Sequence, residues 1–174
     1  MSDLNGKKIA ILSTNGFEDS ELTSPKEAVE AAGATAQVIS TESGEIKGKN
    51  GTTVSVDLTT ADAQADDFDA LILPGGTGNS DAIRTDEDAV SLVKELRAAG
   101  KPVGVICHGG WILTDADVIK GVKLTSYKSI KTDLVNAGAA WVDEEVVVDN
   151  GFVSSRTPDD LPAFNAAIVE EFAK

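Results

Sequence analysis

Apolar positions along this chain gather into short blocks separated by helical periodicity. Lys8–Ser13 (KIAILS), Thr35–Ser40 (TAQVIS), Asp67–Pro74 (DFDALILP) and the run Val103, Val105, Ile106 are apolar on both faces. That pattern belongs to strands buried in a parallel sheet. Between them, Ser24, Pro25 and Glu27 read as N-cap, N1 and N3 of a helix ending at Gly33. Thr85 reads as the cap of a second helix, with Val90, Val93 and Leu96 on one face and Gly100 as its stop. A further helix starts near Trp111, and a short one spans Ile130–Ala137 up to Gly138. The last begins at Thr157, Pro158 and Asp160 and turns Leu161, Phe164, Ile168 and Phe172 to the core. Gly44–Leu58 reads as an exposed hairpin, and Val122–Ser126, Ala139–Val142 and Val146–Asp149 as shorter strands. Asn150-Gly151 is a type I′ turn signal leading into Phe152–Ser155. Strand alternates with helix, so the expected fold is α/β, with a mostly parallel sheet covered on both faces. No linker divides residues 1–174, and one domain is expected.

Composition narrows the function classes. The formal charge is −14, from 29 acidic and 15 basic residues, a field that repels nucleic-acid phosphates and anionic membrane surfaces. No apolar run approaches the roughly 20 residues of a membrane helix, and MSDLNGKK lacks the apolar core of a secretory signal. A single cysteine forms no internal disulfide, which suits a reducing compartment; the expected location is the cytoplasm.

The chemistry concentrates at PVGVICHGGW, Pro102–Trp111. A buried strand ends at Cys107, the only cysteine, and His108, the only histidine, follows it. Gly109 and Gly110 permit a sharp turn into a helix. Open α/β sheets place ligands at the carboxyl ends of such strands. A lone buried cysteine is commonly structural, but a helix N-terminus here favours the thiolate that nucleophilic chemistry needs. His108 is the one histidine available as its base, provided adjacent side chains can meet. Gly75-Gly76 closes the neighbouring strand, either as a plain turn or as half of an oxyanion hole in which the Gly76 and His108 amides face a tetrahedral intermediate. Glu18, after the first strand, either favours a helix N-terminus, as Asp19 and Glu21 could, or stands protonated beside the sulfur. One histidine and no zinc-type spacing argue against a metal. The glycines of GGTGNS match no dinucleotide or phosphate-loop pattern, so no cofactor is expected.

The segments NGFEDSEL, DFDALILPGG, GKPVGVICHGGW and LTSYKSIKTDLVNAGAAWVDEEVVVDNGFVSSRTPDDL together resemble the ThiJ/PfpI family, in its PfpI-type branch of the class I glutamine amidotransferase-like superfamily. The resemblance implies a flavodoxin-like three-layer sandwich with Cys107 on a nucleophile elbow. It further implies Glu18 in contact with the sulfur and the Gly76 and His108 amides as the oxyanion hole. In the family the histidine pairs with an acidic residue of a neighbouring subunit; the matching position is Asp81, and self-association as a dimer or hexamer is implied. Gly110 departs from the proline frequent after Cys-His-Gly. No histidine follows His108, so the glutaminase triad is missing.

Three functions follow from the resemblance. The first is a stress-response enzyme in which Cys107 attacks small reactive aldehydes or their adducts, of deglycase or glyoxalase type. The second is an intracellular cysteine peptidase or amidase acting on peptide substrates. The third is a non-enzymatic redox sensor or chaperone-like protein.

Overall fold

The computed structural model describes residues 3–174. In chain order the elements are β1 (Lys8–Leu12), α1 (Asp19–Ala31), β2 (Thr35–Ser40), β3 (Glu45–Lys47), β4 (Thr53–Ser55), β5 (Leu58–Thr59), β6 (Ala70–Leu73), α2 (Thr77–Ile83), α3 (Glu87–Ala98) and β7 (Val103–Ile106). They continue with α4 (Trp111–Ala116), β8 (Lys123–Leu124), α5 (Lys131–Asn136), β9 (Ala140–Trp141), β10 (Val147–Asp149), β11 (Phe152–Ser155) and α6 (Leu161–Phe172).

The central sheet runs β10-β11-β7-β6-β1-β2-β5, parallel throughout except for the antiparallel pair β10-β11. Alternation along each strand sorts the core into two layers. Ala10, Leu12, Leu71, Leu73, Val103 and Val105 face α3, α4 and α5 through Leu92, Leu96, Leu113 and Leu134. Ile9, Ile11, Val38, Ile72 and Ile106 face α1 and α6 through Leu22, Val29, Phe164 and Ile168. Helices thus cover both faces, as the continuous apolar strands require. This is the flavodoxin-like sandwich the sequence implies. From β1 the chain adds β2 on one side and β6, then β7, on the other. That reversal opens a crevice at the carboxyl ends of β1 and β6, where such sheets bind ligands.

Several sequence expectations need correction. Helix α1 begins at Asp19, not after Ser24, and Pro25 lies inside it. Proline removes one intrahelical bond, yet the earlier start puts Leu22 in the core, and the Ser24 hydroxyl accepts a hydrogen bond from Asn165 Nδ2 of α6 (2.8 Å) instead of capping. Thr85 is not the cap of α3 either. TGNSDAI folds as α2, Thr85 donates to the Ala82 carbonyl (2.7 Å), and Asp86 caps by accepting the Ala89 N–H (2.8 Å). Residue 67 sits in a 3-10 turn, so β6 is shorter than expected. β8 and β9 pair only with each other, outside the central sheet. The type I′ reading holds, with Asn150 and Gly151 both at positive φ (51° and 80°). The Gly44–Leu58 segment does form a hairpin, β3-β4, while Leu58 leads β5 onto the sheet edge.

Gly104, in the middle of β7, lies against α6: a Cβ there would stand 2.7 Å from Ile168 Cγ2 and 3.1 Å from Phe164. Gly104→Ala is expected to lower unfolding stability by about 1–3 kcal/mol through overpacking. Gly110, at φ −69° with Leu134 no nearer than 3.4 Å, accepts alanine with no loss or a gain of about 0.4–1 kcal/mol. Urea titration of both variants checks the contrast.

Candidate active site

Three turns meet at the crevice, those after β1, β6 and β7. Asn79 ties the first two together: Oδ1 accepts the Thr14 N–H (2.7 Å), and Nδ2 donates to the carbonyls of Pro74 (3.3 Å) and Gly75 (3.1 Å). Glycine is required where they touch. A Cβ on Gly75 would collide with Glu21 Oε1 and stand 2.7 Å from Cys107 Cβ. Gly76, at φ 92°, has the Glu18 nitrogen 2.5 Å from where its Cβ would be. After β7, Cys107 takes φ 61°, a left-handed conformation that only this residue, Asp117 and Asn150 adopt among the described non-glycine residues. Such a backbone costs an L-residue on the order of 1–2 kcal/mol and defines the sharp strand-to-helix corner of a nucleophile elbow. Gly109 packs so close beneath it that a Cβ would reach within 2.5 Å of the Leu73 carbonyl.

The thiol is half-buried at the base of a cleft of about 430 Å³ lined by Glu18, Glu21, Lys49, Gly76, His108, Tyr127 and Thr157, among others. Its pKa is pushed up to about 12, first by burial and then by the charge of Glu21, while the His108 and Gly76 amides pull it down. Those are the two amides expected to form an oxyanion hole, and both bond toward the sulfur. His108 does meet its neighbour, with Nδ1 at 3.3 Å from Sγ. Burial, then the charge of Lys49, lowers the His108 pKa, so the imidazole is neutral at pH 7 and free to accept a proton.

The carboxyl beside the sulfur is Glu21, and this corrects the expectation for Glu18. Glu18 reaches the cleft, but its Oε2 is paired with Lys49 of the β3-β4 turn. Glu21 is fully buried in the first turn of α1, where Oε1 accepts the Gly75 N–H (3.0 Å) and Oε2 has no aligned partner. Its pKa is raised to about 8, mainly by burial and next by the Glu18 charge; the Gly75 amide, Lys49 and a hydrogen bond with Cys107 act the other way. At neutral pH Glu21 therefore holds its proton. It adds no negative charge beside the thiol, and it has a hydrogen to offer a developing thiolate. The buried carboxyl at this corner thus lies one turn beyond Glu18.

Asp81 is exposed on α2 and does not line the cleft. The partner of His108 Nε2 within the chain is Ser129, whose Oγ stands at 3.1 Å. The His108 ring stacks on Tyr127 (centroids 5.0 Å, interplanar angle 23°) and meets Trp111 edge-on at 5.3 Å. Glu21, Lys49, Tyr127 and Ser129 were not singled out from sequence. A signal for Glu21 did exist: with α1 extended, it stands four and eight residues before buried Pro25 and Val29, a carboxyl on an apolar stripe. Among the described residues no three His, Cys, Asp or Glu side chains gather to hold a metal ion. No helix is long and apolar enough to cross a membrane.

Comparison with known proteins agrees with this architecture. The model of the DJ-1/PfpI family matches residues 7–171. "Deglycase PfpI" of Pyrococcus furiosus is 47% identical over 167 residues, covering 96% of this chain and 98% of that protein. "Putative cysteine protease YraA" of Bacillus subtilis is 49% identical over 160 residues, covering 91% and 94%. Among solved structures, Drosophila melanogaster DJ-1beta superposes with a TM-score of 0.89 at 29% identity, covering 99% of this chain and 91% of that one.

Because Glu21 is protonated in the folded protein up to about pH 8 but ionises near 4.5 when exposed, the unfolded state sheds its proton first as pH rises. Its contribution to stability is therefore greatest below pH 4.5 and is lost on the way to pH 8. Relative to Glu21→Gln, the wild type is expected to lose on the order of 3–5 kcal/mol between these limits. Denaturant unfolding of the pair across that pH range checks it, and an unchanged difference would contradict a protonated Glu21.

Proposed function

This chain belongs to the DJ-1/PfpI family, and from that premise we propose that it is a cysteine-dependent enzyme acting on small reactive aldehydes of the methylglyoxal class or on their adducts. One observation carries the reading. The Cys107 thiol is held on a left-handed elbow with two backbone amides directed to it, a neutral imidazole at 3.3 Å and a protonated carboxyl alongside. The relatives named deglycase support the aldehyde chemistry.

A resting thiol with so high a pKa needs its proton removed as the substrate arrives. The Sγ–H bond breaks, Nδ1 of His108 takes the proton, and the sulfur pair attacks the aldehyde carbon. The carbonyl oxygen gains the negative charge, which the Gly76 and His108 N–H groups stabilise, and protonation gives a hemithioacetal. With methylglyoxal, moving the C1 hydrogen as a proton to C2 converts this adduct to a lactoyl thioester, and water releases lactate and the thiol. The sum is methylglyoxal plus water to lactic acid, with no external oxidant or reductant. With a glycated amine, the sulfur displaces the amine at the hemiaminal carbon: the S–C bond forms as the C–N bond breaks, and the proton that His108 took from the thiol passes to the departing nitrogen.

A peptidase or amidase reading keeps the same nucleophile. A second cavity of about 290 Å³ favours it, lined by Lys128, Asp143 and Arg156 and sharing Tyr127 and Thr157 with the lining of the first. That cavity gives room for a longer substrate.

The test is methylglyoxal consumption with product identification. Wild type is expected to form lactate. Cys107→Ser should lose at least a thousandfold in kcat/KM, and Glu21→Gln about ten- to a hundredfold through weaker thiolate stabilisation. Glu18→Gln, which leaves Glu21 in place, should lose less than tenfold. Turnover that survives in Cys107→Ser would overturn the reading. Inert wild type that cleaves peptide or amide substrates would favour the second one.

A further inference from the structure

A peptide between two glycines has little of its own to hold its plane, because neither residue carries a Cβ to favour one orientation. The peptide joining Gly75 to Gly76 is such a unit, and its N–H is half of the oxyanion hole. We propose that Asn79 is the positioning residue that latches this peptide with its N–H turned to the elbow. The inference rests on Cys107 attacking a carbonyl carbon.

The peptide is trans, so its C=O and N–H point in opposite directions. Whatever holds the Gly75 carbonyl therefore aims the Gly76 N–H. Two donors hold it, Asn79 Nδ2 at 3.1 Å and the Glu18 N–H at 3.2 Å. The side-chain amide fits only one way round. Oδ1 accepts the Thr14 N–H at 2.7 Å, a group that only donates, while Nδ2 faces the carbonyls of Pro74 and Gly75, groups that only accept. Asn79 is buried and reaches back from the first turn of α2, whose Ser80 N–H closes on the Gly76 carbonyl at 2.9 Å. That bond fixes the next peptide and leaves this one to Asn79 and Glu18. Among the described residues the Gly76 N–H donates to no backbone carbonyl, and Gly76 lines the cleft beside Cys107. A half-turn of the peptide would carry the Gly75 carbonyl into the hole. The tetrahedral intermediate would then lose one N–H and meet an oxygen lone pair in its place. Packing requires glycine at both positions, so the restraint has to come from outside the peptide.

Glycine pairs occur twice in the chain, at Gly75-Gly76 and Gly109-Gly110. Protein labelled with 13C-carbonyl, 15N-glycine therefore gives two correlations across a C–N bond, one from the hole and one from the elbow. In Asn79→Ala the Gly75-Gly76 correlation is expected to shift, and the nuclear Overhauser contact from the Gly76 N–H to the Cys107 β-hydrogens to weaken, while the Gly109-Gly110 correlation holds. Methylglyoxal turnover should fall about a hundredfold in kcat with KM nearly unchanged. Asn79→Asp, of the same shape, can donate to the Gly75 carbonyl only through a protonated carboxyl. Its kcat relative to wild type should therefore fall through one added ionisation as pH rises, a profile that a merely loosened fold does not produce. An unmoved Gly75-Gly76 correlation in Asn79→Ala, or a moved one with wild-type kcat, would overturn the proposal. Should the correlation and the contact respond as expected while the wild type turns over no aldehyde, the latch stands and the aldehyde reading fails.

Discussion

The site depends on an atom that is not there, a Cβ at residue 75. Glu21 Oε1 and the Cβ of Cys107 approach the same side of Gly75, and any side chain would force them apart. That approach has an electrostatic consequence. A carboxylate and a thiolate buried this close destabilise each other and are both penalised by burial, so the pair keeps at least one proton, and near neutrality it keeps both. The resting site is uncharged at its centre. Reactivity then has to come from outside the pair, from a neutral imidazole and from amides already aimed at the sulfur. With Glu21 protonated, its charge no longer raises the thiol, so proton removal is easier at neutral pH than in the presence of the carboxylate.

The rim of the cleft is set by a segment that reads from sequence only as an exposed hairpin. The β3-β4 hairpin is fastened to the β1–α1 turn by the Asp19 carboxylate, which accepts the N–H groups of Asn50 and Thr52 (3.0 Å each), and by the Lys49 N–H on the Phe17 carbonyl (2.9 Å). Gly48 lies against that carboxylate, where a Cβ would stand 2.7 Å from it. The hairpin turn therefore delivers Lys49 to Glu18. In a chain of formal charge −14, this places one cation at the mouth of the cleft. Lys49 favours a carboxylate at Glu21 and disfavours a positive His108. The second effect helps keep the base neutral; the first is outweighed by burial.

Much of this was legible in the sequence, for a physical reason that varies by element. Strands buried on both faces announce themselves as unbroken apolar runs, and the run ending at Cys107 with glycines behind it marks the corner without further context. The type I′ turn at Asn150-Gly151 and the buried stripe of α6 are equally local. What resisted reading was the choice among Glu18, Asp19 and Glu21. Three carboxylates within four residues divide into a cleft ion pair, a hairpin clamp and a buried acid, and the division depends on the helix phase. Pro25 with Ser24 before it imitates a start signal well inside a helix that begins at Asp19, and so hides Glu21 from its apolar stripe. Lys49 and Ser129 were beyond local pattern altogether, since each reaches the site through contacts fixed only by tertiary packing.

These features bear on what kind of electrophile the site selects. A thiol kept protonated is a poor target for agents that need standing thiolate, because the reactive fraction is small. On the aldehyde reading proposed above, the substrate's own carbonyl oxygen would supply, as it becomes negative, a charge for the Gly76 and His108 amides to meet. Proton removal by Nδ1 and charge development on that oxygen can then occur together, so the stabilisation appears in the transition state and not at rest. The elbow contributes by fixing the sulfur, and its strained backbone at Cys107 is sustained by the packing of Gly109 against the Leu73 carbonyl and by the Tyr127 N–H on the Cys107 carbonyl. On that reading, discrimination between a carbonyl substrate and a general thiol reagent would rest on where the negative charge ends up, on an oxygen the backbone amides hold or on a sulfur that burial keeps protonated.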